Sequence, residues 1–314
     1  MEAIQIRAIN NVGVVGGGLI GMSWTSLFLA CGVNVVVVDP RPEAQSELDI
    51  FVANAWPHLT NLGLTRADNI PKARFSTGFD ALEDVDFIQE NGPDRIEVKR
   101  QLVAEIEAVV AKDVVVASST SSLKASDIQA GARHPERVLV AHPMNPPHMV
   151  PMVELVAGDL TTEPTLLAAE AFYQQMQRVT IRVKKEVAGH LANRLTAALY
   201  REAVYLAAEG IAEVEDIDKA ITYGPGMRWA LLGPNLTYHL GGGAGGYQHY
   251  LDHLGPTQEA RWKELGTTPL TDEVKSLLVA GIEKELESQD QDTLVQRRDQ
   301  ALVKIFQLKQ KYGF

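Results

Sequence analysis

The chain has 314 residues, 46% of them hydrophobic, and a formal net charge of −11. That length accommodates two domains with a core each, and the acidic excess repels nucleic acid and anionic lipid surfaces, so neither is expected as a partner. A single cysteine, Cys31, excludes a disulfide and a cysteine-based metal site; a small buried hydrophobe is its ordinary role, and no metal is expected.

The opening MEAIQIRAINN has neither a basic start nor an apolar core of signal length, and no run approaches about eighteen apolar residues. A cytoplasmic protein without a membrane segment is the expectation. In NNVGVVGGGLIGMSW an apolar run then leads into Gly16-x-Gly18-x-x-Gly21, with a helix predicted over residues 22–31. A β-rich run over 33–38 follows and ends at Asp39. In this setting Gly16 permits a tight turn, Gly18 lets backbone approach a pyrophosphate, and Gly21 lets helix pack on strand. The helix N-terminus, at Leu19 and Ile20, faces the phosphate charge. Asp39 accepts from both adenosine ribose hydroxyls and repels a 2′-phosphate, which favours NAD over NADP. Arg41 argues the other way, but Pro40 turns the chain after Asp39.

Further along, β-rich runs over 85–89, 114–118, 137–142, 152–156 and 179–183 alternate with helices over 94–110 and 164–177. Thr162 and Pro164 suit the start of the second helix. This alternation predicts an α/β fold, a Rossmann-type doubly wound, mostly parallel sheet. From about Gly189 the β signal disappears, and GHLANRLTAALYREAVYLAAEG reads as one long helix. The expected organisation is a dinucleotide-binding domain over 1–188 and an all-α domain for substrate and dimerisation over 189–314. A Gly-rich break interrupts the second at 240–246, and alternating charge over 286–314 predicts a solvated terminal helix. The long helix is apolar around much of its circumference, with Leu191, Leu195, Leu199 and Leu206, which points to a homodimer.

Ligands of an open α/β sheet bind beyond the C-terminal ends of its strands. Ser121, His142, Glu154 and Asn193 fall at or near such ends or where the helical part begins. Each has an ordinary structural role available: a hydroxyl-rich turn, a satisfied histidine before Pro143, a strand charge, a helix brace. Beside a nicotinamide site they acquire a joint chemistry. Alcohol oxidation needs a base at the hydroxyl while hydride leaves the same carbon. His142 suits that role near neutral pH, Glu154 would fix its tautomer, and Ser121 and Asn193 would hold the substrate oxygen.

At these residues the chain resembles the L-3-hydroxyacyl-CoA dehydrogenase family. The matching motifs run in order from Gly16-x-Gly18-x-x-Gly21 and Asp39 through Gln89-Glu90-Asn91, Ser119-Thr120-Ser121-Ser122-Leu123, His142-Pro143-Met144-Asn145-Pro146 and Val153-Glu154-Leu155-Val156 to Ala192-Asn193-Arg194-Leu195. The resemblance implies that the family's catalytic serine, histidine, glutamate and asparagine are Ser121, His142, Glu154 and Asn193. It implies NAD contacts at Asp39, Glu90, Ser121 and Asn145, with Arg95 in place of a lysine. The acyl-CoA members' aromatic motif after the histidine is here HPMNPP, and their basic clamp for CoA phosphates is reduced to Arg41, Arg66, Lys72 and Arg74 among acids. YGPGMRWA, Gly233-Pro234 and LGGGAGG are similar to the free-acid branch, which holds L-carnitine dehydrogenases and the lambda-crystallin and L-gulonate 3-dehydrogenase group.

The expected reaction is therefore NAD-dependent oxidation of a small L-3-hydroxy acid, with L-carnitine first among candidates. Arg228 is the candidate for a substrate carboxylate, and Trp229, Tyr238 and Tyr247 for a quaternary ammonium. A CoA thioester dehydrogenase and a non-catalytic NAD-binding structural protein stay open at this point. The dehydrogenases related to 6-phosphogluconate dehydrogenase are disfavoured, because their lysine four residues before the asparagine is here Gly189.

Overall fold

The computed structural model describes residues 9–287 and 289–314. Most of the segment on which the signal reading falls, residues 1–8, lies outside the described residues, as does Ser288 in the charged tail. The chain forms two units that divide between Arg194 and Leu195.

The first unit runs β1 (Asn11–Val15), α1 (Leu19–Ala30), β2 (Asn34–Val38), α2 (Ala44–Asn61), β3 (Arg74–Ser76), β4 (Phe87–Glu90), α3 (Ile96–Glu107), β5 (Val115–Ser118), α4 (Ala125–Gln129), β6 (Val138–Pro143), β7 (Met152–Ala157), α5 (Glu163–Gln175) and β8 (Val179–Val183), and includes the start of α6 (Ala192–Ala208). Among the described residues the sheet has eight strands in the order β3-β2-β1-β4-β5-β6-β7-β8. Valine-rich strands suit its interior because β-branched side chains pack well on a pleated surface. Val15, Ile88, Val116, Val140 and Val156 carry the core across five strands and are all but fully buried. Each such side chain contributes roughly 1.5–3 kcal/mol. The strands are parallel from β3 to β6; β7 then reverses against β6, and β8 runs with β7. The order turns back on itself between β1 and β4, the switch point where a doubly wound sheet opens a crevice at its strand ends.

The second unit is helical: the rest of α6, then α7 (Val214–Tyr223), α8 (Pro225–Trp229), α9 (Pro234–Gly241), α10 (Gly246–Glu264), α11 (Asp272–Glu285) and α12 (Gln291–Tyr312). The Gly-rich break separates α9 from α10, where Gly243 and Gly246 have φ of +58° and +60°. The tail helix α12 is largely solvated but buries Val303. Among the described residues no helix is long and apolar enough to cross a membrane.

Candidate active site

Two cavities open at the switch point. The first, about 720 Å³, is lined by Gly16, Gly18, Asp39 and Arg41 and by apolar Val38, Phe79, Val98 and Leu102. Gly16 has φ +96°, a conformation that strains any side chain, and a Cβ on Gly21 would stand 1.9 Å from the Gly16 carbonyl oxygen. That contact explains the third glycine: α1 sits directly on the turn. At Gly18 an added Cβ would meet nothing within 4 Å, so the fold itself does not require glycine there. No side chain caps α1, which leaves the first-turn N–H groups of Leu19 and Ile20 for an anion.

Asp39 follows the end of β2. Its Oδ2 accepts from the Gly17 N–H at 2.7 Å, and its Oδ1 accepts from the Arg41 N–H at 3.0 Å and Nε at 3.2 Å. Arg41 also donates to Glu47 at 3.3 Å, so its guanidinium is engaged by two carboxylates rather than free for a 2′-phosphate. An apolar slot, a carboxylate just past the end of β2, an open glycine and an uncapped helix fit the adenosine and pyrophosphate of NAD.

The second cavity, about 390 Å³, shares Asn91 and Gly92 with the first and is lined also by Ile20, Asp94, Lys99, Ser121, His142, Met144, Asn145 and Asn193. His142 and Glu154 are directly opposed on the antiparallel strands β6 and β7, which is why residues twelve apart in sequence meet. His142 Nδ1 lies 2.7 Å from Glu154 Oε2. The other carboxylate oxygen accepts from the N–H groups of Leu191 at 2.8 Å and Ala192 at 2.9 Å, at the start of α6. Burial alone would raise the Glu154 carboxyl, but the hydrogen bonds from His142, Ala192 and Leu191 outweigh it and hold the pKa below its ordinary value. An ionised Glu154 can only accept, so neutral His142 carries its proton on Nδ1 and leaves Nε2 unprotonated. Asn193 Nδ2 donates to the Ser121 carbonyl oxygen at 3.1 Å. Ser121, His142, Asn145 and Asn193 thus line one cavity, with Glu154 behind His142.

Other predicted residues are placed differently. Glu90 lines neither cavity: its carboxylate is buried, takes the Lys99 ammonium at 2.9 and 3.0 Å, and accepts from Ser118 Oγ at 2.6 Å and Gly92 N at 2.5 Å. It braces the turn after β4 through the Gly92 N–H. Arg95 is exposed and lines neither cavity, because it precedes the first turn of α3; the cation lining the second cavity is Lys99, one helical turn on. The Leu19 side chain is likewise exposed. In the second unit Arg228 and Trp229 are exposed at the end of α8, while Tyr238 stacks on Tyr250, with ring centroids 4.5 Å apart and planes 7° from parallel. Tyr247 stacks on the same residue, Tyr250, with ring centroids 6.2 Å apart.

Sequence reasoning passed over Asp94, Lys99 and His190. Lys99 had a signal: it shares the apolar face of α3 with Ile96, Val103 and Ile106, and a lysine on such a stripe needs a buried partner. His190 is buried beside His142, ring centroids 5.3 Å apart, and its Nε2 donates to the Thr120 carbonyl oxygen at 3.2 Å. Burial pulls its pKa below the ordinary value. Its φ of +49°, after +76° at Gly189, turns the chain so that Leu191 and Ala192 aim at Glu154.

The sheet order and the glycine cradle define a dinucleotide-binding α/β protein. Residues 11–187 match the 3-hydroxyacyl-CoA dehydrogenase NAD binding domain and residues 189–307 match the C-terminal domain of the same enzymes, and the chain belongs to this family. It is 42% identical over 309 residues to an L-carnitine dehydrogenase of Bacillus cereus, covering 98% of this chain and 94% of that one. It is 41% identical over 300 residues to an L-carnitine dehydrogenase of Nocardiopsis dassonvillei, with 95% and 91% covered. Among solved structures it resembles an NAD+-dependent 5-formyl-3-hydroxy-2-methylpyridine 4-carboxylic acid 5-dehydrogenase, with TM-score 0.83, 25% identity, and 96% and 98% of the two chains covered.

Proposed function

We propose that this protein oxidises the 3-hydroxyl of L-carnitine to 3-dehydrocarnitine. The observation that carries the reading is the 2.7 Å His142–Glu154 pair, set in a cavity that adjoins the NAD cradle, in a chain about 40% identical to L-carnitine dehydrogenases over nearly its whole length. Bound NAD+ supplies the hydride acceptor. Nε2 of His142 takes the hydroxyl proton, and Glu154 stabilises the resulting imidazolium, an arrangement typically worth ~10²–10⁴ in rate. Asn193 has one N–H on the Ser121 carbonyl and offers its second to the substrate oxygen as it becomes a carbonyl; Ser121 positions the alcohol. Asp39, the N–H groups of Leu19 and Ile20, and Asn145 hold the dinucleotide.

In the second unit Arg228 is the candidate for the substrate carboxylate, a role that its fork geometry suits. We assign residues 1–188 to cofactor binding and 189–314 to substrate binding and dimerisation, in a cytoplasmic homodimer. Initial NADH formation is to be compared for L-carnitine, L-gulonate, L-3-hydroxybutyrate and L-3-hydroxybutyryl-CoA at matched sub-saturating concentration. L-carnitine is expected to lead; preference for the CoA thioester would overturn the free-acid assignment.

A further inference from the structure

The second cavity holds a charge that the proton transfer does not use. Asp94, in the loop between β4 and α3, presents an exposed carboxylate to it. Its Oδ2 accepts from the Ser121 N–H at 3.2 Å, the Ser121 hydroxyl at 3.1 Å and the Ser122 hydroxyl at 3.2 Å. Burial acts to raise this carboxyl, but hydrogen bonds from Thr120 and Ser121 and the charge of Lys99 prevail and keep its pKa below the ordinary value. Asp94 is therefore ionised at neutral pH.

Nothing lining the cavity cancels that charge. Lys99 is the lysine or arginine among the lining residues, and its ammonium is bound by both oxygens of buried Glu90 and by the Gly92 carbonyl at 2.9 Å. The Lys99 ammonium is thus spent on the Glu90 carboxylate. His142 lies 2.7 Å from the carboxylate of Glu154, so that pair adds no net positive charge. The wall that carries Ser121 is left with an unmatched negative charge.

We infer that Asp94 is a specificity-determining residue that favours a substrate bearing a fixed positive charge next to the carbinol carbon, a quaternary ammonium. This rests on the proposed function and sharpens it. In L-carnitine the ammonium nitrogen is attached to the carbon beside the one that is oxidised, so a hydroxyl held at Ser121 and His142 brings the cation to the Ser121–Asp94 wall. A quaternary ammonium has no N–H to donate and is recognised by charge and by contact with its methyl groups. A carboxylate oxygen already holding three protein hydrogen bonds supplies charge without requiring a donor. Ile20, Pro143 and Met144 line the same cavity and give the methyl groups apolar surface.

The test compares L-carnitine with its carbon isostere, 3-hydroxy-5,5-dimethylhexanoate of matching configuration, as substrates or, if the isostere is not oxidised, as competing ligands. The preference for L-carnitine, as a ratio of kcat/KM or of inhibition constants, is expected to fall at least ~10-fold in Asp94→Asn. In the unsubstituted protein the same ratio should shrink as salt is raised. Any disturbance of Ser121 is common to both compounds and cancels in the ratio. An unchanged ratio in Asp94→Asn would overturn the inference, whether both rates drop together or only KM for NAD rises. Refusal of both free acids by the unsubstituted protein, with 3-hydroxybutyryl-CoA oxidised, would instead remove the carnitine reading and this inference with it.

Discussion

Asp39 ties down the arginine that would otherwise welcome a 2′-phosphate, and in the proposed site it would also receive the ribose hydroxyls. Asp39→Ser is expected to free Arg41 and shift the NAD to NADP ratio of kcat/KM by ~10–10²-fold toward NADP, measured with both cofactors at saturating substrate. At the neighbouring cavity, His142→Gln should keep NAD affinity and lower kcat at least ~10²-fold. Glu154 carries a pH dependence whose sign follows from its depressed pKa. Its hydrogen bonds add stability that is fully present above the ordinary value of 4.5 and is lost as pH falls through the lower folded-state value. Glu154→Gln should thus be less stable than the parent at pH 7 in urea unfolding, with the gap narrowing below pH about 4.5.

Between strand and helix, two glycines of the turn predict separate outcomes. Gly21→Ala forces a methyl group into the Gly16 carbonyl and should lower stability and NAD binding together. Gly18→Ala meets open space, so thermal unfolding should barely change while the NAD dissociation constant rises ~10-fold or more, as calorimetry can measure. Elements of this kind were legible in the sequence because valine runs and a glycine turn have few competing readings; the run over 179–183 is the strand β8. Two features were not. The three residues of β3, Arg74–Ser76, have no apolar pattern and are a strand only by pairing with β2. The reversal of β7 left no trace, since MVELVA is buried at its centre like the parallel strands and apolar content does not encode direction. Asp94 and Glu90 show the same limit at the site: a charge in a loop and one at a strand end look alike until the turn between them is folded.

For the whole chain, the division at Arg194 follows from chemistry and not from the end of the β signal. Residues 190–193 stay with the first unit because His190, Leu191, Ala192 and Asn193 all hydrogen-bond to Thr120, Glu154 or Ser121. The second unit exposes Leu195 at 69%, with Leu199, Leu236 and Leu251, apolar surface of the kind that subunit association covers. Leu195→Glu with Leu199→Glu is expected to convert a dimer into a monomer in light scattering; a monomeric parent protein would remove the dimer proposal.

The opposition of His142 and Glu154 on β6 and β7 also decides how durable the pair is. Both belong to strands flanked by others in the sheet, so parting them means unzipping backbone ladders rather than swinging a loop. Amide hydrogens on these strands should exchange with deuterium only through global opening, while those of the Gly243–Gly245 turn exchange rapidly. The proton acceptor would then be as long-lived as the fold, and heat inactivation would track unfolding without an earlier, separate loss of the active site.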